Sequence, residues 1–263
     1  MTFQASGFLS DTLTAWTAST RQARGDWFSL ADRVNALAMR TVYELQPASS
    51  SDKQLTGVLL FRRGVQSFQG AILLGERGMS ADARTLVRSC AETAIALGGL
   101  ATIDGFIDRL IEDHDRHRLT LANALLSDGD SLNALSPDQA EQLRAVAAEI
   151  KGRYAAPGPN SLKWDQVAHK ANMRSLYDTV YRGISGDAAH PSIDALNRHL
   201  RADAAGTIEA TTFRPEAGDV ADTLSAGVSS CLFAIEAVAR IFETTKLDDD
   251  LQACLAGWKH LVG

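Results

Sequence analysis

The sequence predicts an all-α protein, a multi-helix bundle-like single domain spanning residues 1–263 with at most one short β-hairpin near 207–213. Three observations predict it. Apolar residues recur at helical spacing over long stretches, as in Val220, Leu224, Val228, Cys231, Ile235, Val238 and Phe242. Glycine, proline and cap residues punctuate those stretches, and strand-like alternation is confined to Thr207–Phe213. With 263 residues, 45% of them hydrophobic, the chain can bury a core without metal or disulfide support.

Taken in order, the first helical stripe runs through Leu30, Val34 and Leu37, and a longer one through Leu55, Val58, Phe61, Val65, Phe68 and Ile72. Gly75 and Gly78 mark a break. The next helix begins at Ser80, read as its N-cap, and the Gly98-Gly99 pair is expected to end it. Asp104–Leu126 reads as a helix, and Ser127–Ser136, rich in Ser, Asp, Gly and Asn, as a loop. Ser136-Pro137 with Gln139 places an N-cap and an N1 proline on a helix reaching Tyr154. Two prolines and a glycine make 155–163 a linker and a candidate substructure boundary. Shorter helices follow at Asp165–Asn172, Arg174–Ile184 and Ser192–Leu200, the last after a turn at Gly186–Pro191.

Three widely spaced cysteines, Cys90, Cys231 and Cys254, fit neither a disulfide framework nor a CxxC zinc site. The N-terminus lacks a basic segment followed by an apolar run, and Cys231–Phe242 is interrupted by Glu236 and Arg240 and is shorter than the roughly 20 residues a bilayer requires. A soluble, cytoplasmic protein with no membrane partner is expected. A net charge of −6 gives no bulk attraction for nucleic acid or anionic lipid. Arg62, Arg63, Arg77, Arg84 and Arg88 form a local basic group that an exposed helical face would solvate.

Two constellations invite a functional reading. At about 100° per residue, Arg84, Arg88 and Glu92 fall within about 80° of one another, a charged stripe at the edge of the face formed by Leu86, Val87, Cys90, Ala94 and Leu97. Asp82, Thr85, Ser89 and Thr93 are expected to face away from the core. Arg precedes Glu here, the weaker order for an i,i+4 pair, which favours tertiary partners. Tyr177, Tyr181 and Ser185 share a second face, and His190, held extended by Pro191, follows it as a candidate catalytic acid or base, an anion ligand or a helix C-cap.

The segments ADARTLVRSCAE (81–92) and YRGISGDAAHPS (181–192) resemble a bacterial all-helical family catalogued as a domain of unknown function. The features they share with it are an Arg-x3-Glu helix and a Tyr-x3-Ser-x4-His-Pro turn, and the resemblance runs from about Leu55 to Phe242. It implies that Arg88, Glu92, Tyr181, Ser185 and His190 meet in space, and it carries no reaction. The expected ligand of such a cleft is an anionic small molecule or nucleotide, with Arg88 supplying charge and the hydroxyls supplying hydrogen bonds.

An alternative rests on Arg109-x4-His114, which resembles the Arg-x4-6-His motif of the helical nucleases called HEPN. It implies metal-independent RNA cleavage, His moving a proton and Arg neutralising charge at phosphorus. Residues five apart on a helix diverge by about 140°, so this reading calls for a homodimer or a distorted helix. A third reading is a non-enzymatic interaction protein in which the five residues only lock packing. Glu112, Asp113, His114, Asp115 and His117 lack the paired Glu-x2-His arrangement of a di-metal bundle, so no metal and no cofactor is expected. Phosphate-binding loops and hydrolase or zinc-protease signatures are absent from the sequence.

Overall fold

A computed structural model describes residues 2–48, 50–188 and 192–263. Helix accounts for 74% of the chain, and among the described residues the strands form one two-stranded antiparallel hairpin. Behind a short N-terminal segment, helices α1 (Leu13–Ala23), α2 (Gly25–Glu44), α3 (Asp52–Glu76) and α4 (Ser80–Thr102) lead to α5 (Phe106–Ser127), α6 (Gly129–Ala134) and α7 (Pro137–Arg153). Helices α8 (Trp164–Lys170) and α9 (Arg174–Leu176) follow, with α9 passing directly into a π-helical turn, Tyr177–Tyr181. After α10 (Ser185–Ala188) and α11 (Ile193–Asn197), strands β1 (Leu200–Ala202) and β2 (Ile208–Thr211) pair with Arg201 opposite Ala210. Helices α12 (Val220–Ile241) and α13 (Asp248–Val262) close the chain.

The chain forms two compact units, Met1–Thr102 with Trp164–Gly263, and Ile103–Lys163. In the first, α4 packs against α3, α12, α8 and the π-turn, and α12 against α2, α3, α4 and α13. The α12 stripe is buried from Val220 to Val238. Each such Val, Leu or Ile contributes about 1.5–3 kcal/mol on leaving water, which is why this element specifies its own placement. Although α12 is long and apolar enough to cross a membrane, it is mostly enclosed by its neighbours and serves as a core helix.

Helix α4 departs from expectation at both ends and along one face. It does not stop at Gly98-Gly99 but continues to Thr102, and both glycines are buried. The cost of about 1 kcal/mol per helical glycine is accepted because the 171–173 segment lies directly on the helix there. A Cβ at Gly98 would sit 2.7 Å from Met173 Sδ and 2.9 Å from Ala171 Cβ. At the other end Ser80 is the first helical residue, and its buried hydroxyl makes no hydrogen bond among the described residues. Thr93, expected to face solvent, is buried against Gly64 of α3, and Ser89 meets Ser67 at 3.3 Å. With neighbours on three sides, α4 is central, and amphipathic periodicity read for one buried face underestimates it.

In the second unit, α5 packs against α6 and α7. The loop expected at 127–136 contains α6, because Asp128 accepts a hydrogen bond from the Ser131 amide at 2.8 Å and starts a short helix among polar residues. Ser136 and Gln139 form the full capping box of α7. The acidic run on α5 is structural. Glu112 accepts from the backbone and side-chain amides of Asn160, both at 2.8 Å, and Asp113 accepts from Leu162 N–H at 2.7 Å, so the 155–163 segment is tied down. Asp115, 2% exposed, pairs with Arg153, accepts from the Tyr154 hydroxyl at 2.9 Å and lies 3.5 Å from Arg118. Among the described residues no His, Cys, Asp and Glu grouping could hold a metal ion.

Candidate functional site

The site grows from the π-turn. Its defining bond runs from Arg182 N–H to Tyr177 C=O at 2.9 Å, five residues back. A side chain at 183 would not permit it, since a Cβ there would fall 2.2 Å from the Thr179 carbonyl oxygen. The wider turn brings residues four apart closer to eclipsed than the about 40° offset of an α-helix. Tyr177 and Tyr181 accordingly stack, with ring centroids 5.2 Å apart and planes inclined by 19°.

Across from this turn, half-buried Arg88 reaches out of α4. Its Nε–H donates to Ser185 Oγ at 3.1 Å and its terminal nitrogen to the Tyr181 hydroxyl at 3.0 Å. The guanidinium carbon lies 4.6 Å from the Tyr181 ring centroid, a cation–π distance. Ser185 passes its own proton to the Tyr181 carbonyl and so is locked as an acceptor for Arg88. Arg88 makes no ion pair with a carboxylate among the described residues, so its charge is answered by two neutral hydroxyls and a ring face.

Glu92, one turn along α4, does not pair with Arg88, but its charge is felt at the same place. Burial first, and then the nearby Glu92 carboxylate, push the Tyr181 phenol above its ordinary range, while Arg88 opposes them. Tyr181 therefore stays protonated at neutral pH. Because its oxygen accepts from Arg88, its own proton remains available to an incoming acceptor.

The structure thus joins Arg88, Tyr181 and Ser185 directly and keeps Glu92 within electrostatic reach. His190, together with Pro191, lies outside the described residues. The turn expected at Gly186–Pro191 begins as helix α10, which continues to Ala188. Arg109 and His114 both lie on the regular helix α5.

Of the basic residues expected to solvate one face, three are engaged elsewhere. Arg77 donates to the Phe8 carbonyl at 3.0 Å, Arg88 is clasped as described, and Arg84 lies 3.8 Å from Asp219, just before α12. Asp219 also pairs with Arg198, which in turn lies 3.4 Å from Glu216. Sequence reasoning misses Arg198, Glu216 and Asp219, because pairs formed between elements distant in the chain leave no local spacing to read.

An all-helical protein with an arginine clasped by hydroxyls on a π-turn is the class that fold and site define. Residues 55–207, more than half of the chain, match the family of unknown function DUF5677, and the chain belongs to that family. The matched span contains Arg88, Glu92, Tyr181 and Ser185. No curated protein and no solved structure matches the chain.

Proposed function

We propose that the α4/π-turn cleft binds an anionic small molecule or nucleotide in the cytoplasm, with Arg88 as the charged anchor. The observation that carries this reading is the state of Arg88, a half-buried cation oriented by neutral acceptors and not neutralised by a carboxylate among the described residues. Two of its five N–H groups hold it in place, and the others remain for a ligand's oxygens. Tyr181 adds a neutral O–H donor, and its ring supports the guanidinium plane. Glu92 sets a limit on the ligand by disfavouring a second negative group on its side of the cleft. His190 is proposed as the titratable residue that completes the site, and its role as acid or base is the catalytic option within this reading.

The test is a panel of nucleotides, organophosphates and carboxylates, read as a shift in melting temperature of the wild type and of Arg88→Ala. The proposal expects at least one anion to raise the wild-type melting temperature and to leave folded Arg88→Ala unmoved. Equal shifts in both proteins would remove Arg88 from ligand binding. The ribonuclease alternative at Arg109 and His114 requires two chains to bring the pair together. It is eliminated if RNA survives the wild type, or is cut equally by Arg109→Ala and His114→Ala.

A further inference from the structure

Away from the Arg88 cleft, the first unit holds a pocket of about 740 Å³ between α12 and α13, with Ser175 of α9 also lining it. We propose that this pocket binds an organic cation, a protonated amine with an apolar body. Its head lies at Glu243 and Asp248 and its body against Phe233, Leu255 and Trp258. Every lining residue except Ser175 falls beyond the matched span 55–207, so the pocket belongs to the C-terminal helices, outside what the family match covers.

The pocket forms because each helix has a second face. Beside its buried stripe, α12 carries Ser229, Phe233, Glu236 and Arg240 at steps of four, three and four, and α13 answers with Asp248, Leu251, Leu255 and Trp258 at three, four and three. Trp258 Nε1–H donates to the Ser225 carbonyl at 3.2 Å and to Ser225 Oγ at 3.1 Å, which sets the two helices antiparallel and fixes the indole. With its N–H engaged, the ring offers the pocket only apolar and π surface. Phe233, Leu255 and Trp258 are only half-buried, so large apolar groups still face the cavity, and its volume falls in the range of small-molecule sites. At the other end α12 closes with paired bonds from Glu243 N–H to Arg240 C=O at 3.2 Å and from Thr244 N–H to Ala239 C=O at 3.1 Å. Glu243 therefore takes φ +51°, the left-handed position that glycine ordinarily fills, and keeps an exposed carboxylate at the pocket.

Charge selects the ligand. The lining carries Glu236, Glu243 and Asp248 against Arg240 and Lys259, and Glu236 pairs with Arg240 along α12. Glu243 and Asp248 make no ion pair among the described residues. Lys259 stands eleven residues beyond Asp248 on α13, about 16 Å along the helix axis, at the Trp258 end. The connection between the helices does not neutralise the acidic end: Lys246 is offset by Asp249, and Asp250 pairs with Arg40. An elongated apolar pocket with two carboxylates at one end and a cation at the other orients an amphipathic amine and repels an amphipathic carboxylate from the acidic end. The site is independent of the Arg88 reading, because it shares no residue with the Arg88, Tyr181 and Ser185 contacts.

Isothermal titration calorimetry on the full chain at neutral pH, with naphthylethylamine, naphthylethanol and naphthylpropionate, separates the head from the body. The amine is expected to bind most tightly, the alcohol more weakly and the carboxylate weakest. Glu243→Gln combined with Asp248→Asn, both changes at exposed side chains, is expected to weaken the amine about tenfold or more and to leave the alcohol unchanged. Phe233→Ala is expected to weaken amine and alcohol alike, which places the body in this pocket. The proposal is overturned if the amine does not bind the wild type at millimolar concentration, or if the alcohol or carboxylate binds as tightly as the amine. It is equally overturned if the amine binds the double variant, or a folded Phe233→Ala, as it binds the wild type.

Discussion

Replacing Gly183 by alanine places a methyl carbon 2.2 Å from the Thr179 carbonyl oxygen and 3.2 Å from its carbonyl carbon. A normal contact requires about 1 Å more, and the obstacle is backbone, which cannot rotate aside as a side chain would. The turn must open, and with it the Arg182-to-Tyr177 bond that defines the π-turn. Overpacking of this kind costs about 1–3 kcal/mol. At about 2–4 °C per kcal/mol for a chain of this size, the melting temperature should fall by about 2–12 °C. Because Tyr181 and Ser185 flank the turn, Arg88 should also lose its two acceptors. Gly186 supplies the internal control: it lies in helix α10 with nothing within 4 Å of the position a methyl group would take, so Gly186→Ala should gain up to about 1 kcal/mol from helix propensity. Circular-dichroism melts of both variants make the comparison. A Gly183→Ala protein that melts with the wild type would refute the steric origin of the turn, as would equal responses at the two glycines.

Further outcomes follow from the same geometry. Tyr181 is raised by burial and by Glu92, so folding gains from its protonated form below the ordinary tyrosine value of about 10 and loses that gain as pH rises past it. The alkaline fall in stability should therefore be shallower in Tyr181→Phe, which at neutral pH should cost about 0.5–1.5 kcal/mol for the lost hydrogen bond. Burial pushes the Cys90 thiol up to about 12, and Cys231 and Cys254 are also buried and raised. An aromatic disulfide reagent at pH 8 should label none of the three in the native protein and all three in denaturant. Asp115→Ala should cost about 1–3 kcal/mol, discounted because Arg153 and Arg118 are about two-fifths exposed, and should speed amide exchange in Arg153–Leu162. Unchanged exchange there would mean that Asp115 does not hold this end of the unit.

What the sequence makes legible follows from how each feature is encoded. The α12 stripe and the Ser136–Gln139 capping box are local patterns, and both stand in the structure. The single hairpin near 207–213 is also present, with β2 supplying its second strand. Gly98-Gly99 misleads because a pair of glycines signals either a helix end or a close approach by another segment, and only packing distinguishes them. Thr93 falls on the outer side of a single-face pattern, and such a pattern has no place for a helix enclosed on several sides. The π-turn has no periodic signature at all. Its one local mark is Gly183, whose role emerges only from the position of the Thr179 carbonyl. Arg88, Tyr181 and Ser185 can be selected because spacing places each on a polar helical face. The Arg198, Glu216 and Asp219 cluster cannot, since loop closure over Gly78 brings it together.

The most direct test of the central claim is the ¹⁵N resonance of the Arg88 side-chain Nε during titration with AMP, assigned by comparison with Arg88→Lys. That N–H is held by Ser185 at 3.1 Å, which should slow its exchange enough for it to be observed. If Arg88 anchors an anion in the α4/π-turn cleft, its resonance should move saturably with the added nucleotide. If AMP binds and the Arg88 resonance stays fixed, the arginine is a packing residue and the cleft is not the site.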